Sequence, residues 1–289
     1  MSHTLIIGCG DTGLRVAARA VAAGDRVTAL VRSAASATRA RRVGATAIEW
    51  DLDQRAPEAD LLASADRLVY SAPPPRKGRT DTRMAGVCDA LAGHEPATVY
   101  ISTSGVYGDH GSDWVDEDTP VAPGTDRAYR RVDAENRLLA AIPDGVVLRA
   151  PGIYGPGRLP VDRILAGEPV LDDSEHAWTN RIHIDDLGAL CWKAVTERWP
   201  HRIYNATDGT PTSRTVFSDT IAELLGTDPP PRIDWAEARE RFSAMRLSFL
   251  SESRRVSNAR LVADTGYQFL FADYRDGLIA SLRGEPAIS

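Results

Sequence analysis

Short apolar runs alternate with longer stretches of helical character through the first half of the chain. Residues 4–7 read Thr-Leu-Ile-Ile, which is typical of a central strand covered on both faces, and an alanine-rich helix follows at 14–23. The same alternation predicts strands at 26–31, 45–50, 67–71, 98–102 and 145–149, and helices at 34–42, 80–92 and 127–141. Six strands joined by helical crossovers indicate an α/β fold with a doubly wound parallel sheet of the Rossmann type.

The pattern changes after residue 150, where loops rich in glycine and proline separate shorter helices. We predict helices near 186–198, 214–225 and 235–244, and one more strand at 202–206. We therefore expect a dinucleotide-binding domain over 1–150 and a smaller substrate-binding region over 151–289. Part of that region, at about 182–208, is expected to return to the sheet.

Composition excludes several functional classes. The 289 residues are 43% apolar and 26% charged, with a net charge of −6, so nucleic acid is not an expected partner. Cys9, Cys88 and Cys191 lie far apart, without the spacing of metal ligands or of a disulfide framework. No apolar stretch approaches the roughly 20 residues of a membrane span, and the first residues lack the basic start of a signal peptide. We expect a cytoplasmic protein without metal or membrane association.

A glycine-rich turn lies between the first predicted strand and the first predicted helix. Gly8, Gly10 and Gly13 fit the pattern G-x-G-x-x-G, and Asp11 and Thr12 stand between the last two glycines. In this context the backbone approaches a pyrophosphate closely, and the N-terminus of the helix attracts the negative charge. The alternative is a tight turn without a ligand, and we favour the dinucleotide site.

The residues that follow the second strand indicate which dinucleotide binds. An NAD site usually has an acidic residue about 20 positions after the glycines, on the ribose hydroxyls. Residues 26–48 contain no Asp or Glu, and Arg32 stands at the end of the second strand. Its planar guanidinium suits a 2′-phosphate, so we predict NADP in preference to NAD. A merely solvated basic surface is the alternative, and it accounts better for Arg39, Arg41 and Arg42.

Two further loops follow strands at the carboxyl edge of the sheet, where ligands of such folds bind. Asp51 and Leu52 come directly after the third strand, where Asp51 either caps the next turn or lies near the adenine. Ser71, Ala72 and Pro73 end the fourth strand and begin a rigid proline loop. We include all five residues in the predicted cofactor site.

Five later segments resemble the extended short-chain dehydrogenases/reductases of the NAD-dependent epimerase/dehydratase type. They are residues 100–108 (Tyr-Ile-Ser-Thr-Ser-Gly-Val-Tyr-Gly), 148–157 (Leu-Arg-Ala-Pro-Gly-Ile-Tyr-Gly-Pro-Gly), 181–186 (Arg-Ile-His-Ile-Asp-Asp), 204–208 and 266–267. The resemblance covers nearly the whole chain. It implies that Pro151 and Ile153 lie at the nicotinamide, and the family's frequent dimers leave a homodimer open.

In that family a Ser or Thr, a Tyr and a Lys carry out proton transfer to or from the substrate. The resemblance puts Thr103 at the Ser/Thr position. It also implies that loop residues Tyr107, Tyr154, Arg158 and Arg181 lie near the substrate, where an arginine suits an anionic group.

The Tyr-Lys pair itself is missing from the helix at 127–141. One register pairs Tyr129 with Asp133, and a second, anchored on Glu135, puts Arg127 at the tyrosine position and Arg131 at the lysine position. A shift of two residues turns a helix by about 200°, so only one of these pairs faces the cofactor. An arginine supplies charge but donates no proton at neutral pH. We therefore predict Thr103, Tyr129 and Arg131 as candidate catalytic residues.

Two functions fit these observations. The first is an NAD(P)-dependent oxidoreductase or epimerase/dehydratase that acts on a nucleotide sugar or a small carbonyl compound. The second is a non-catalytic protein that binds NADP as a sensor, which the missing Tyr-Lys pair favours. The Thr103 loop and the pocket segments are more than a sensor needs, so we favour the enzyme.

Overall fold

The computed structural model describes residues 1–172 and 178–284, so the last residues of the predicted substrate-binding region lie outside the described part. Fifteen strands are found in the described residues: β1 His3–Ile7, β2 Arg26–Val31, β3 Thr46–Glu49, β4 Arg67–Tyr70, β5 Ala97–Thr103, β6 Trp114–Val115, β7 Val146–Ala150, β8 Gly152–Tyr154, β9 Val170–Leu171, β10 Trp178–Thr179, β11 Arg181–His183, β12 Ile203–Asn205, β13 Thr212–Ser213, β14 Arg232–Ile233 and β15 Arg255–Val256.

Helices alternate with these strands in the first half of the chain. The described helices are α1 Asp11–Ala22, α2 Ala34–Arg42, α3 Ala59–Ala63, α4 Thr82–Leu91, α5 Asp126–Ala141, α6 Val161–Leu165, α7 Ile184–Thr196, α8 Arg214–Leu225, α9 Trp235–Arg241, α10 Ala244–Leu250, α11 Ala259–Thr265 and α12 Tyr274–Arg283. None of the helices in these described stretches is both long and apolar enough to cross a membrane.

Seven of the strands form one parallel sheet in the order β12-β7-β5-β4-β1-β2-β3. Strand β1 pairs with β2 on one side and with β4 on the other, so the direction of winding reverses at β1. Such a reversal opens a crevice beyond the carboxyl ends of the strands, where ligands of doubly wound folds bind. The predicted fold class is confirmed.

Helices cover the sheet on both faces, which explains why its strands are apolar throughout. On one face α1, α2 and α7 pack through small and branched side chains, among them Val16, Ala37 and Leu190. On the other face α3, α4 and α5 contribute Leu62, Met84 and Leu138 among others. The two clusters hold the strand ends rigid beneath the predicted site.

Segments of the second half of the chain return to the sheet. Helix α7 packs against α1, and β12 pairs in parallel with β7 at the edge of the sheet. The remaining strands form two-stranded pairs, β8 with β11, β9 with β14, β10 with β13 and β6 with β15. The β6–β15 pair joins residues 114–115 to 255–256, so the loop after β5 also packs with this later region.

The helix predicted at 235–244 differs from the observed structure. The chain forms two short helices, α9 and α10, and Phe242 and Ser243 separate them. The hydroxyl of Ser243 accepts a hydrogen bond of 3.2 Å from the amide of Arg246, which starts α10 with a new cap.

Candidate functional site

A cavity of about 360 Å³ opens beyond the carboxyl ends of β1, β2 and β4. It contains most of the residues predicted to bind the cofactor, namely Gly8, Gly10, Arg32, Asp51, Leu52, Ser71, Ala72 and Pro73. The structure adds Ser33, Ser36, Trp50 and Arg83 to its lining. We call this space the cofactor cavity.

The glycines of the turn meet different steric demands. Gly8 has φ +87°, and a Cβ there would lie 2.5 Å from the Cα and the amide nitrogen of Ala72. At Gly13 a Cβ would come within 3.2 Å of Ile6, so this glycine lets α1 pack closely on the sheet. At Gly10, by contrast, no described atom lies within 4 Å of an added Cβ. Gly10 lines the cofactor cavity, and this open space fits a pyrophosphate that the backbone approaches closely.

Hydrogen bonds fix the turn against the neighbouring strands. The amides of Gly8 and Cys9 donate to the carbonyl oxygen of Leu30 at 3.0 and 3.3 Å. The hydroxyl of Ser71 donates to the carbonyl oxygen of Gly8 at 2.7 Å. These hydrogen bonds hold the glycine turn, which lines the cofactor cavity, against β2 and β4.

The loop after β3 is held by a salt bridge that local sequence patterns do not indicate. The buried Arg83 donates to both carboxylate oxygens of Asp53, at 2.7 and 2.5 Å, and to the carbonyl oxygen of Pro73 at 2.7 Å. The hydrogen bond from Arg83 lowers the pKa of the Asp53 carboxyl. Arg83 thus joins the loops that follow β3 and β4, on opposite sides of the cofactor cavity.

Asp51 caps the turn after β3 and also lines the cavity. Its carboxylate accepts hydrogen bonds from the amide of Asp53 at 3.0 Å and from the side chain of Gln54 at 3.1 Å. Leu52 beside it presents an apolar side chain to the cavity. Asp51 therefore caps the turn, as predicted, and lies at the wall of the cofactor cavity.

Arg32 is exposed at the mouth of the cavity, next to the start of α2. Its guanidinium forms no hydrogen bond or ion pair with another residue in the part of the chain that the structure describes. Ser33 caps α2 by accepting from the amide of Ser36 at 3.3 Å, and its hydroxyl bonds that of Ser36 at 3.1 Å. A cation, two hydroxyls and a helix N-terminus therefore converge at this point.

Asp11 and Thr12 lie in the first turn of α1 and are half-buried. Asp11 pairs with Arg39 and also with Arg158, the latter at 3.0 Å. The hydrogen bond from Arg39 lowers the pKa of the Asp11 carboxyl. The structure therefore places Arg158, which the resemblance implied near the substrate, beside the glycine turn. Its Nε also approaches the carbonyl oxygen of Ile153, at 3.4 Å.

A second cavity, of about 280 Å³, opens beyond the carboxyl ends of β5 and β7, and we call it the substrate cavity. Thr103 at the end of β5 and Pro151 after β7 line it, as do Thr125, Arg127, Asn180, Arg214, Phe249, Glu252 and Arg254. The hydroxyl oxygen of Thr103 accepts from the amide of Gly105 at 3.1 Å. Three of these charged residues, Arg214, Glu252 and Arg254, come from the second half of the chain, and the sequence analysis did not predict them.

Packing of α5 decides which of the two predicted registers faces the site. Arg127 lines the substrate cavity, and Arg131, one turn further, donates to the hydroxyl of Tyr100 at 2.9 Å and to the carbonyl oxygen of Ile101 at 3.0 Å. Tyr129 is 38% exposed, and the Arg79 guanidinium lies 4.5 Å from its ring centre. Tyr129 therefore lies on the outer side of α5, away from both cavities.

Beneath this face of α5, a buried ion pair joins the helix to the sheet. Glu135 and Arg149 are both almost fully buried, and Arg149 Nη2 lies 2.7 Å from Glu135 Oε2. The hydroxyl of Ser102 also donates to Glu135. This pair holds the register of α5 that places Arg131 and Arg127 towards the strand ends.

The remaining predicted substrate residues are buried away from the cavity linings. The hydroxyl of Tyr107 donates to Asn205 Oδ1 at 2.8 Å, and burial raises its pKa. The ring of Tyr154 packs edge-on against His183 and Phe217, and burial raises its pKa as well.

Arg181 is likewise buried rather than exposed in a loop. Its guanidinium lies over the ring of Phe217 at 3.8 Å, and burial lowers its pKa to about 10. Strand β11, to which it belongs, pairs with β8 and so brings Arg181 into the interior. The structure packs Arg181 against Phe217 and outside the described linings of the two cavities, and the role towards an anionic substrate that the resemblance implied for it stays a prediction.

The comparisons with known proteins agree with this geometry. The model of a family described as NAD(P)H-binding matches residues 8–154, from the glycine turn to the end of β8. The chain therefore belongs to this NAD(P)H-binding family, and the dinucleotide cofactor predicted from the turn is confirmed at that level.

One curated relative and two solved structures extend the comparison. Protein YeeZ of Escherichia coli K12 is 32% identical over 241 residues, which cover 80% of this chain and 86% of YeeZ. A conserved protein of unknown function from Silicibacter pomeroyi DSS is 30% identical, with a TM-score of 0.85 over 98% of this chain and 99% of that one. UDP-glucuronic acid 4-epimerase from Bacillus cereus, solved with NAD, is 15% identical with a TM-score of 0.77 over 97% of each chain. The predicted resemblance to epimerases and dehydratases is confirmed at the level of the fold.

Proposed function

We propose that the protein is an NADP-dependent oxidoreductase of the atypical extended short-chain dehydrogenase type. The observation that carries this proposal is the placement of the two cavities. The cofactor cavity lies at β1, β2 and β4, the substrate cavity lies at β5 and β7, and β4 and β5 are neighbours in the sheet. An extended dinucleotide along this edge reaches from one cavity to the other.

The residues of the cofactor cavity fit NADP well. Gly10 leaves room for the pyrophosphate at the start of α1, and Leu52 and Ala72 offer apolar walls to the adenine. Arg32, with Ser33 and Ser36, would hold the 2′-phosphate through charge-assisted hydrogen bonds. Among the described residues that line this cavity, Asp51 is the one that carries a carboxylate, and it caps the turn after β3.

When bound, the reduced cofactor would supply a hydride for a carbonyl carbon, and solvent would supply the proton for the carbonyl oxygen. The chain orients and stabilises this transfer. Thr103 accepts a backbone hydrogen bond, which leaves its own proton directed to another acceptor such as the substrate oxygen. Arg127 lines the same cavity as Thr103 and adds a positive charge to it.

The test is turnover on a panel of nucleotide sugars and small carbonyl compounds, followed by the absorbance of the reduced cofactor. The Bacillus cereus structure is named as a UDP-glucuronic acid 4-epimerase, so nucleotide sugars belong in the panel. We expect oxidation of NADPH with at least one member, and we expect Thr103→Val to lower kcat while NADPH binding stays unchanged. Tyr129→Phe, on the outer side of α5, is the matched control and should keep its activity.

One observation favours a second function, a non-catalytic protein that binds NADP as a sensor. The face of α5 at the site carries Arg127, and Arg131 lies one turn further along, bonded to Tyr100. Neither arginine donates a proton at neutral pH, and Tyr129 lies on the outer side of the helix. Tight NADPH binding without turnover on any member of the panel would support this second function and contradict the first.

A further inference from the structure

Most of the charged side chains that line the substrate cavity are cationic. Three guanidinium groups, from Arg127, Arg214 and Arg254, line it together with one carboxylate, that of Glu252. Glu252 is already engaged, because Arg254 Nη1 lies 2.9 Å from its Oε2. The lining therefore carries an excess of positive charge.

Two of the three arginines hold the walls of the cavity. Arg214 donates to the carbonyl oxygens of Leu250 at 3.0 Å, of Phe249 at 2.8 Å and of Glu252 at 2.9 Å, which fixes the segment after α10. Arg254 donates to the carbonyl oxygen of Gly108 as well as to Glu252. The Nε of Arg254 is buried and has no hydrogen-bond partner among the described residues.

Arg127 is different. Its guanidinium stacks over the ring of Phe249 at 3.8 Å and forms no hydrogen bond or ion pair with any residue in the described ranges 1–172 and 178–284. Burial lowers the pKa of Arg127, the nearby Glu252 carboxylate raises it, and the charges of Arg131 and Arg130 lower it further. A partly desolvated cation with a fixed plane and five unused N–H donors is set up to bind a planar or tetrahedral anion.

We propose that the substrate cavity takes a small carbonyl or hydroxy compound with a carboxylate or phosphate group, and that Arg127 binds this anionic group. This inference rests on the proposed oxidoreductase function and names its substrate class. Arg127 and Thr103 line the same cavity, so the anionic group lies near the carbon that reacts. A volume of about 280 Å³ is at the small end for ligand pockets and suits such a compound better than a whole nucleotide sugar.

The test measures binding by calorimetry on the full chain saturated with NADP+, so it does not depend on turnover. The probes are two matched pairs, pyruvate with methyl pyruvate and glycerol 3-phosphate with glycerol. Within at least one pair the charged member should bind at least roughly tenfold more tightly than the neutral one. The two pairs distinguish a carboxylate from a phosphate.

Arg127→Leu should lower the affinity for the charged probe by roughly tenfold to hundredfold, since a charge-assisted bidentate hydrogen bond is lost. Arg127→Lys, which keeps the charge but loses the planar fork, should fall between that variant and the wild type. Arg198→Leu is the control, because it removes an equal charge from an exposed pair with Asp144 outside both cavities. NADPH affinity, followed by fluorescence, should stay unchanged in all three variants.

Equal affinity for charged and neutral probes, no binding of either charged probe at millimolar concentrations, or equal losses in Arg127→Leu and Arg198→Leu would each overturn the proposal. Failure of the oxidoreductase function gives a different result. In that case the charged probe binds through Arg127, yet no substrate is turned over.

Discussion

Gly8 and Gly10 lie two residues apart in the same turn, and the structure predicts opposite effects when each is replaced by alanine. Gly8→Ala puts a Cβ 2.5 Å from the backbone of Ala72 at a φ of +87°. Backbone strain of about 1–3 kcal/mol and a packing clash of similar size add up to a loss of about 2–6 kcal/mol in the free energy of unfolding. That is a large share of the roughly 5–15 kcal/mol that stabilises a typical domain.

Gly10→Ala meets neither obstacle. Gly10 has φ −84°, and its Cβ would contact no described atom within 4 Å. The free energy of unfolding should change by less than about 1 kcal/mol, the order of an unfavourable helix cap. The new methyl group would instead occupy space at the pyrophosphate, so NADPH affinity should fall by more than about tenfold.

Urea unfolding followed by circular dichroism and NADPH fluorescence titration together check this pair. If Gly10→Ala destabilises the fold as much as Gly8→Ala does, the steric difference between the two glycines is refuted. If Gly10→Ala binds NADPH like the wild type, the open space has no role in cofactor binding.

Two further predictions concern buried charges. Glu135→Gln leaves Arg149 buried without its carboxylate and should lower the free energy of unfolding in urea by about 3–5 kcal/mol. Glu237→Gln, which breaks the exposed pair with Arg241, is the control and should lower it by less than about 0.5 kcal/mol. Similar losses in both variants would contradict the role of the buried pair. Burial raises the pKa of Asp208 from 3.8 to about 7. As the pH rises, the unfolded chain loses the Asp208 proton near pH 4, whereas the folded chain keeps it until about pH 7. The free energy of unfolding therefore falls between about pH 4 and pH 7. Asp208→Asn should accordingly gain stability relative to the wild type across that window and show a constant difference above it, whereas a difference independent of pH would exclude this titration.

Local sequence patterns sufficed for the parallel sheet and for one wall of the site. Strand and helix periods are local, and the spacing of Gly8, Gly10 and Gly13 between a strand and a helix is local too. Arg32 and Ser71 follow from the same logic, since each directly follows a strand that ends at the carboxyl edge. These residues could be placed without any knowledge of tertiary contacts.

Contacts between distant parts of the chain could not be read in this way. Arg83 reaches Asp53 across 30 positions, and Arg158 reaches Asp11 across 147, so no local spacing relates them. Arg214, Glu252 and Arg254 enter the substrate cavity from the second half of the chain, where short strands and loops give weak periodic signals. Arg181 looked like a loop residue because β11 has only three residues.

The register of α5 was the one ambiguity that the sequence itself could have resolved. Ala134 and Leu138 are buried against the sheet, and the same stripe continued backwards at helical spacing passes through Arg131 and Arg127. Tyr129 lies off this stripe. The apolar stripe was therefore a better guide to the face at the site than the search for a tyrosine.

Paired titrations with NADPH and NADH test whether the cofactor cavity binds NADP through Arg32. The wild type should bind NADPH more tightly than NADH. Arg32→Ala should weaken NADPH by roughly tenfold to hundredfold, the range of a lost charge-assisted hydrogen bond, and should change NADH affinity by less than about twofold. Equal losses for the two cofactors, or a wild type that prefers NADH, would show that Arg32 does not bind a 2′-phosphate.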